Sequence, residues 1–295
     1  DDSSIPATEA TLKEKATLVG RIGLMMLSVG TGAWRVRNSM NKVSRCLGIT
    51  CTADIGLLAI SYTCIEGTDT YTQSISLPTT GVNTHKLMEL ELFMKEFPDK
   101  VSTCSVKHIH EVLDEIQKFP ANYKAWNLGL ASALACGAFT FLLGGGPVEM
   151  CCAFLGAGVG NFVRKKMLGH SISLLANVAV SVAASCLVYV LTILLAQSLL
   201  SVSAVHQAGY ICAMLFVIPG FPLITGGIDL AKLDLRSGLE RVSYALLIIL
   251  TATMTGWATA AICQFQPADF EPLQLQKWTL LCFCLLYTSP SPRDS

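Results

Sequence analysis

Residues 172–200 read ISLLANVAVSVAASCLVYVLTILLAQSLL, twenty-nine positions without an Asp, Glu, Lys or Arg. As a helix at 1.5 Å per residue this stretch is about 43 Å long, more than a hydrocarbon core of roughly 30 Å, so it is long enough to cross a bilayer at a tilt. Working outward, uncharged or nearly uncharged runs recur at 126–143, 148–163, 209–227 and 242–263, and a further apolar run starts at 278. Charge is distributed to match. Of the 42 Asp, Glu, Lys and Arg residues, 27 lie in positions 1–125, four in 126–225 and eleven in 226–295. A hundred residues with four charges cannot coat a soluble core. The expected fold class is therefore an α-helical integral membrane protein. It has about five spans, a sixth truncated within 264–287, and a preceding polar domain over 1–125.

Orientation follows from the basic residues. With the polar domain in the cytoplasm, alternation puts Arg164, Lys165 and Lys166 inside, together with Lys232, Arg236 and Arg241. The outer connections at 144–147, 201–208 and 264–276 carry neither Lys nor Arg, and Lys277 at the edge of the unfinished span is the one ambiguous charge. The 21 basic residues balance the 21 acidic ones, so no overall field points to nucleic acid. Of the twelve cysteines, Cys136, Cys151, Cys152, Cys186 and Cys212 sit in apolar runs as small hydrophobes. No CxxC pair occurs, and His108 and His110 have no cysteine cluster beside them, so neither a metal site nor a cofactor is expected. The chain begins at Asp1 without a signal-peptide pattern, and residues 288–295 (TSPSPRDS) resemble a translated adaptor rather than a native segment.

Within the polar domain, apolar positions recur at helical spacing from Thr17 to Leu47 and stop at Gly48. The pattern predicts one broken or two stacked helices with the break at Gly30-Thr31-Gly32, because each interior glycine weakens a helix by about 1 kcal/mol. Stretches 50–63 and 70–77 are rich in Ile, Tyr and Thr, with turn chemistry at 66–69, and predict a β-hairpin. Asn83 and Ser105 are N-cap candidates for helices over 84–97 and 106–118. The domain is expected to be α+β.

No nucleophile elbow, phosphate loop or HExxH helix occurs, so neither an enzyme nor an ATP-driven pump is expected. Small residues line the spans, with Gly156 and Gly160 four apart, as close helix packing requires. The most informative stretch is 216–241, FVIPGFPLITGGIDLAKLDLRSGLER. Pro219, Gly220, Pro222, Gly226 and Gly227 interrupt an apolar run and free backbone groups that lipid cannot satisfy, as in the broken helices that bind solutes in secondary transporters. Thr225 lies inside the interruption and Asp229 just beyond it. The alternative is a kinked helix whose groups neighbours satisfy. A carboxylate at the edge of a membrane cavity can load and release a proton; otherwise Asp229 pairs with Lys232 or caps the segment leading to Arg241. Glu149 and His206 lie near outer span ends, and Glu149, following a proline, suits a helix N-terminus.

Three ordered stretches resemble the threonine/serine exporter family: Gly20 to Arg37 (GRIGLMMLSVGTGAWRVR), Leu142 to Gly146 (LLGGG) and Ile218 to Asp229 (IPGFPLITGGID), within a resemblance covering roughly 17–263. The resemblance implies a cytoplasmic N-terminal domain and about five spans, with a second membrane half that is fused or supplied as a small partner subunit. It also implies export of threonine and serine driven by the proton motive force, or of dicarboxylates such as succinate in two-component relatives. Arg35 matches the motif and is a candidate contact for a substrate carboxylate or an internal acid. Ser28, Gly32 and Arg37 stand where many relatives carry Glu.

The expected function is thus a subunit of an inner-membrane secondary transporter that exports a small amino acid or carboxylate. A membrane-anchored sensor or scaffold is the rival reading, and five spans with an interrupted fourth exceed what an anchor needs.

Overall fold

The structure of the chain is a computed structural model that describes residues 5–78, 80–119, 125–168, 172–200 and 209–265. The start of the expected sixth span, the 288–295 tail and His206 lie outside the described residues. The chain divides into two compact units. One contains the described residues among 1–122 together with Phe221–Ser243, and the other those among 123–220 and 244–291.

The first unit opens with helix α1 (Leu12–Ser28), which is closed by a capping box in which Thr11 and Glu14 exchange hydrogen bonds. Helix α2 (Ala33–Cys46) follows the expected break, where Gly30 adopts φ +85°, a conformation that favours glycine. The apolar faces of α1 and α2 meet: Leu18, Ile22, Met26, Val36, Met40 and Val43 are all buried. Two glycines of α1 permit this packing. A Cβ at Gly20 would overlap the Tyr62 ring, and one at Gly23 would come within 2.6 Å of the Met40 sulfur.

The expected hairpin is instead a three-stranded antiparallel meander of β1 (Thr50–Ile55), β2 (Ala59–Glu66) and β3 (Asp69–Ser76). The stretch 50–63 is split by a turn at Gly56, whose N–H donates to the Ala59 carbonyl at 2.8 Å. In register, Ile55 faces Ile60 and Cys51 faces Cys64, so the apolar side of the sheet joins the core of α1 and α2. The Glu66 to Asp69 turn closes β2 onto β3 with Gly67 at φ +60°.

Helix α3 (Thr84–Lys100) starts at the Asn83 cap, ends three residues beyond the predicted end and carries Pro98 in its last turn. Helix α4 (Val106–Lys118) starts at the Ser105 cap. Buried Leu90, Phe93, Phe97, Ile109, Leu113 and Ile116 close this side of the core.

The second unit is helical. Helices α5 (Ala125–Leu142), α6 (Pro147–Leu168), α7 (Leu174–Leu200) and α8 (Gly209–Ala213) form it, with a 3-10 turn at Leu215–Val217 and the apolar part of α10 (Leu235–Ile262). Two of these helices are long and apolar enough to cross a membrane, Leu174–Leu199 and Leu235–Ile262. The segment Gly209–Val217 with α9 (Gly220–Ala231) makes a third if the broken pair is one span. Helix α5 is apolar but short, and α6 carries Glu149, Asn161 and the Arg164-Lys165-Lys166 end. Arg164 and Arg236, expected in loops, lie inside helices because α6 continues to Leu168 and α10 begins at Leu235.

Helix α7 is apolar all round: Val178, Val182, Cys186, Tyr189 and Ile193 are buried, whereas Leu187, Leu191, Leu195 and Leu199 are exposed. An exposed leucine face of this length costs free energy in water and none in lipid.

A polar staple joins α1 to α4 in the first unit. Arg21 donates to the His110 ring nitrogen Nδ1 at 2.9 Å and to the His110 carbonyl at 3.1 Å, and it also pairs with Asp114. Because Arg can only donate, Nδ1 must be unprotonated. Burial, followed by the nearby Arg21 charge, holds the His110 pKa below its ordinary value. The unfolded chain therefore takes up this proton more readily, and His110 lowers stability as pH falls through about 6.5. The thermal midpoint is expected to drop between pH 7.5 and 5.5, and His110→Gln, which still accepts from Arg21, should flatten that part of the profile. Glu14 and Asp114, held below the carboxylate range by their bonds to Thr11 and Arg21, add losses only below about pH 4.

Candidate functional site

The N-terminus of α2 is the centre of the site. Gly32 is its N-cap and offers no side-chain acceptor to the first helical N–H groups. Asp229, from α9, fills that role: its carboxylate accepts from Ala33 N–H at 3.1 Å and Trp34 N–H at 3.5 Å. A Cβ at position 32 would approach Asp229 Oδ1 to 2.9 Å, so glycine here makes room for a cap supplied from 197 positions along the chain. Carboxylates suit helix N-termini because the unpaired N–H groups and the helix dipole both favour negative charge.

The same carboxylate accepts from Ser237 Oγ at 3.1 Å and forms an ion pair with Arg241 at 3.4 Å. Asp229 is 0% exposed and Arg241 4%. Arg241 also donates to Ser237 Oγ at 3.2 Å and, through Nη2, to the Thr31 carbonyl at 2.8 Å. The break between α1 and α2 is thus held at its carbonyl by Arg241 and at its N–H groups by Asp229. Lys232, expected as one partner of Asp229, instead lies over the Trp34 ring at 4.2 Å.

Helices α9 and α10 form a hairpin through Leu233, which has φ +62°. A Cβ at Gly226 would meet Arg241 Cβ at 3.0 Å and the Gly238 carbonyl at 3.2 Å, and one at Gly238 would meet the Leu230 side chain at 2.6 Å. This mutual absence of side chains lets the two helices approach closely enough for Asp229 to reach Ser237 and Arg241. A second clasp runs beside the first, in which Arg37 donates to Asp234 at 2.6 Å and to the Ala53 carbonyl at 3.3 Å. Glu240 accepts the Leu57 N–H at 2.6 Å, and Arg236 pairs with Asp54 and Glu240.

The other sequence candidates divide. Thr225 returns its hydroxyl to the Phe221 carbonyl at 2.9 Å and is nearly buried. Pro222 and Gly227 lie in α9, and Gly220 and Gly227 each have open space where a Cβ would be. Pro219 follows Ile218, whose extended ψ of 120° ends the 3-10 turn at the interruption. Arg35 is half exposed and pairs with Glu91 at 3.3 Å. Glu149 belongs to the other unit. It is buried in the first turn of α6 after Gly144-Gly145-Gly146-Pro147, where a Cβ at Gly146 would meet its Oε2 at 2.6 Å.

Sequence reasoning did not identify Arg241 and Ser237 as partners of Asp229. Their i, i+4 spacing on α10 was visible, but the spacing does not reveal that the hairpin turns this face toward Asp229.

A largely helical protein with membrane-capable helices, an interrupted apolar segment and a buried acid–base pair is of a construction that membrane transport proteins share. The comparisons agree with this class. Residues 17–263 match the family described as "Putative threonine/serine exporter" (ThrE), and the chain belongs to that family. A Klebsiella aerogenes protein named "Probable succinate transporter subunit YjjP" is 25% identical over 236 residues, covering 79% of this chain and 87% of its own length. The Escherichia coli K12 protein of the same name is 24% identical over 237 residues, with 79% and 88% covered. No solved structure matches the chain significantly.

Removing one partner of a buried ion pair strands the other charge and typically costs about 3–5 kcal/mol, whereas replacing both by apolar residues is often neutral. Asp229→Leu is therefore expected to lower the thermal midpoint of the detergent-solubilised chain sharply, and Asp229→Leu with Arg241→Met to recover part of the loss. A double variant as unstable as the sum of the two singles would contradict this pairing.

Proposed function

We propose that this chain is a subunit of an inner-membrane exporter of threonine and serine driven by the proton motive force. Its first unit faces the cytoplasm, five spans form its membrane part, and a second membrane half or small partner subunit completes the assembly. The observation that carries this reading is the fully buried Asp229–Arg241 pair in the segment that follows the Ile218-Pro219 interruption. Membership of the exporter family supports the transport class. The names of the two relatives favour a second reading, a dicarboxylate exporter subunit, and they also support the need for a partner.

In this reading Asp229 is the proton-binding group. Four donors converge on its carboxylate. Protonation removes the charge that holds Arg241 and the α2 N-terminus, so the clasp weakens when the proton loads and re-forms when it leaves. A device of this kind has two arrangements whose balance a proton can shift. Asp229→Asn keeps the shape and one acceptor oxygen but cannot cycle. Membrane abundance at least half that of the parent is expected, with efflux of labelled threonine that no longer responds to an imposed pH gradient. Normal abundance with unchanged gradient-driven efflux would exclude Asp229 as the coupling group. Running the same assay with labelled succinate separates the two substrate readings.

Orientation is tested by single cysteines replacing Lys107 or Arg236, both exposed, in a cysteine-free background. An impermeant maleimide added outside intact cells should label neither position until the cells are permeabilised. Labelling of intact cells at either position would reverse the topology.

A further inference from the structure

The second unit holds an arginine whose charge is not balanced. Arg164 on α6 forms no ion pair among the described residues, and the hydrogen bond from its guanidinium is to a neutral acceptor, Nη1 donating to the Phe216 carbonyl at 3.2 Å. That carbonyl belongs to the 3-10 turn that ends at the interruption. Tyr244 on α10 and Lys165, the next residue of α6, are ionisable neighbours that interact with Arg164, and neither supplies a carboxylate. An uncompensated cation among apolar helices is costly, which makes it a candidate partner for an anion.

Beside it is an acceptor without a donor. Asn177 on α7 is 2% exposed, and its Nδ2 donates to the Arg164 carbonyl at 3.3 Å, which fixes the orientation of the amide. Its Oδ1 is buried with no hydrogen-bond partner among the described residues. Neighbouring polar groups on the same helices are satisfied: Ser181 returns its hydroxyl to the Asn177 carbonyl at 2.7 Å, Ser185 donates to the Ala213 carbonyl at 2.8 Å, and Asn161 donates to Ser132 at 3.1 Å. Buried acceptors are rarely left unpaired, and an exception calls for a donor that arrives from outside.

We infer that Arg164 and Asn177 form the recognition site for an α-amino acid zwitterion, with Arg164 receiving the carboxylate and Asn177 Oδ1 the ammonium. This inference rests on the exporter reading above and deepens it, because a dicarboxylate such as succinate has no donor for Asn177. Planar, bidentate binding of a carboxylate is what a guanidinium does best. Loss of a partner for a buried acceptor is also what allows a polar site to reject an analogue lacking one hydrogen-bonding group.

The test is equilibrium binding of two labelled probes to the full chain in neutral-lipid nanodiscs. The probes are L-threonine and 3-hydroxybutyrate, which keeps the carboxylate and hydroxyl but lacks the ammonium. The parent chain should bind threonine at least tenfold more tightly than 3-hydroxybutyrate. Arg164→Gln should weaken both probes at least tenfold. Asn177→Leu should weaken threonine alone, erasing the preference, and Asn177→Asp, a smaller perturbation of the fold, should keep or enlarge it. Threonine binding unchanged within twofold in Arg164→Gln and Asn177→Leu of parental thermal stability would overturn the site while leaving the exporter reading standing. Absence of binding of either probe to the parent would overturn the site on this chain, and the efflux assay above decides the exporter reading separately. If Arg164→Gln changed only the stabilisation gained from anionic lipid, the arginine would be a headgroup anchor and the inference would fall.

Discussion

The carboxylate of Asp229 is the constraint on which the architecture of the first unit turns. It caps α2 in place of a side chain that Gly32 cannot provide, neutralises Arg241 and takes the Ser237 hydroxyl, all without access to water. Each of these demands shapes the sequence around it. Position 32 must be glycine to admit the carboxylate, and positions 226 and 238 must be small for the hairpin to close. Position 30 must tolerate a left-handed backbone so that the Thr31 carbonyl can meet Arg241. Two of the three stretches that carry the family resemblance, one near residue 30 and one near residue 225, are therefore two halves of a single polar arrangement.

The sequence made the local half of this legible. Glycine chemistry located the break in the first helix, cap residues marked the starts of α3 and α4, and hydropathy marked the apolar helices. The turn at Gly56 was missed because Leu57 and Leu58 continue the apolar character of a strand. Its hidden signal is Glu240, which accepts the Leu57 N–H from 183 positions away. The partners of Asp229 were missed for the same physical reason: pairing across long separations leaves no periodic trace in one sequence. Lys232 was nearer along the chain, but it lies against Trp34, where its charge meets the face of the ring. Residues 221–243 group with the N-terminal residues, and Asp229, Asp234, Arg236, Glu240 and Arg241 of this segment make polar contacts with them.

The second unit solves a different problem, the close approach of apolar helices. Gly156 on α6 lies against the Ser185 carbonyl, and a Cβ at Gly160 would collide with Phe216 and Ser185. Thr140, Ser181, Thr192 and Thr255 return their hydroxyls to carbonyls three or four residues back, so they pack as small, nearly apolar units. Glycine and hydroxyl residues together give tight packing with few free polar groups, as helix association without a hydrophobic driving force requires. Against this background the neutral contacts of Arg164 and the orphaned Asn177 oxygen stand out as departures from an otherwise consistent rule.

Those departures connect recognition to the interruption. Arg164 holds the Phe216 carbonyl, and the charge-assisted bond it can form with a carboxylate is stronger than that contact. A ligand shifts a conformational balance only through groups it binds differently in the two states. In the proposed cycle a substrate carboxylate competes with the Phe216 carbonyl for the guanidinium. The carbonyl it displaces sits in a turn that Pro219, lacking an N–H, cannot extend into a regular helix. In that cycle, occupancy of the site alters the backbone bonding of the apolar segment interrupted at Ile218-Pro219.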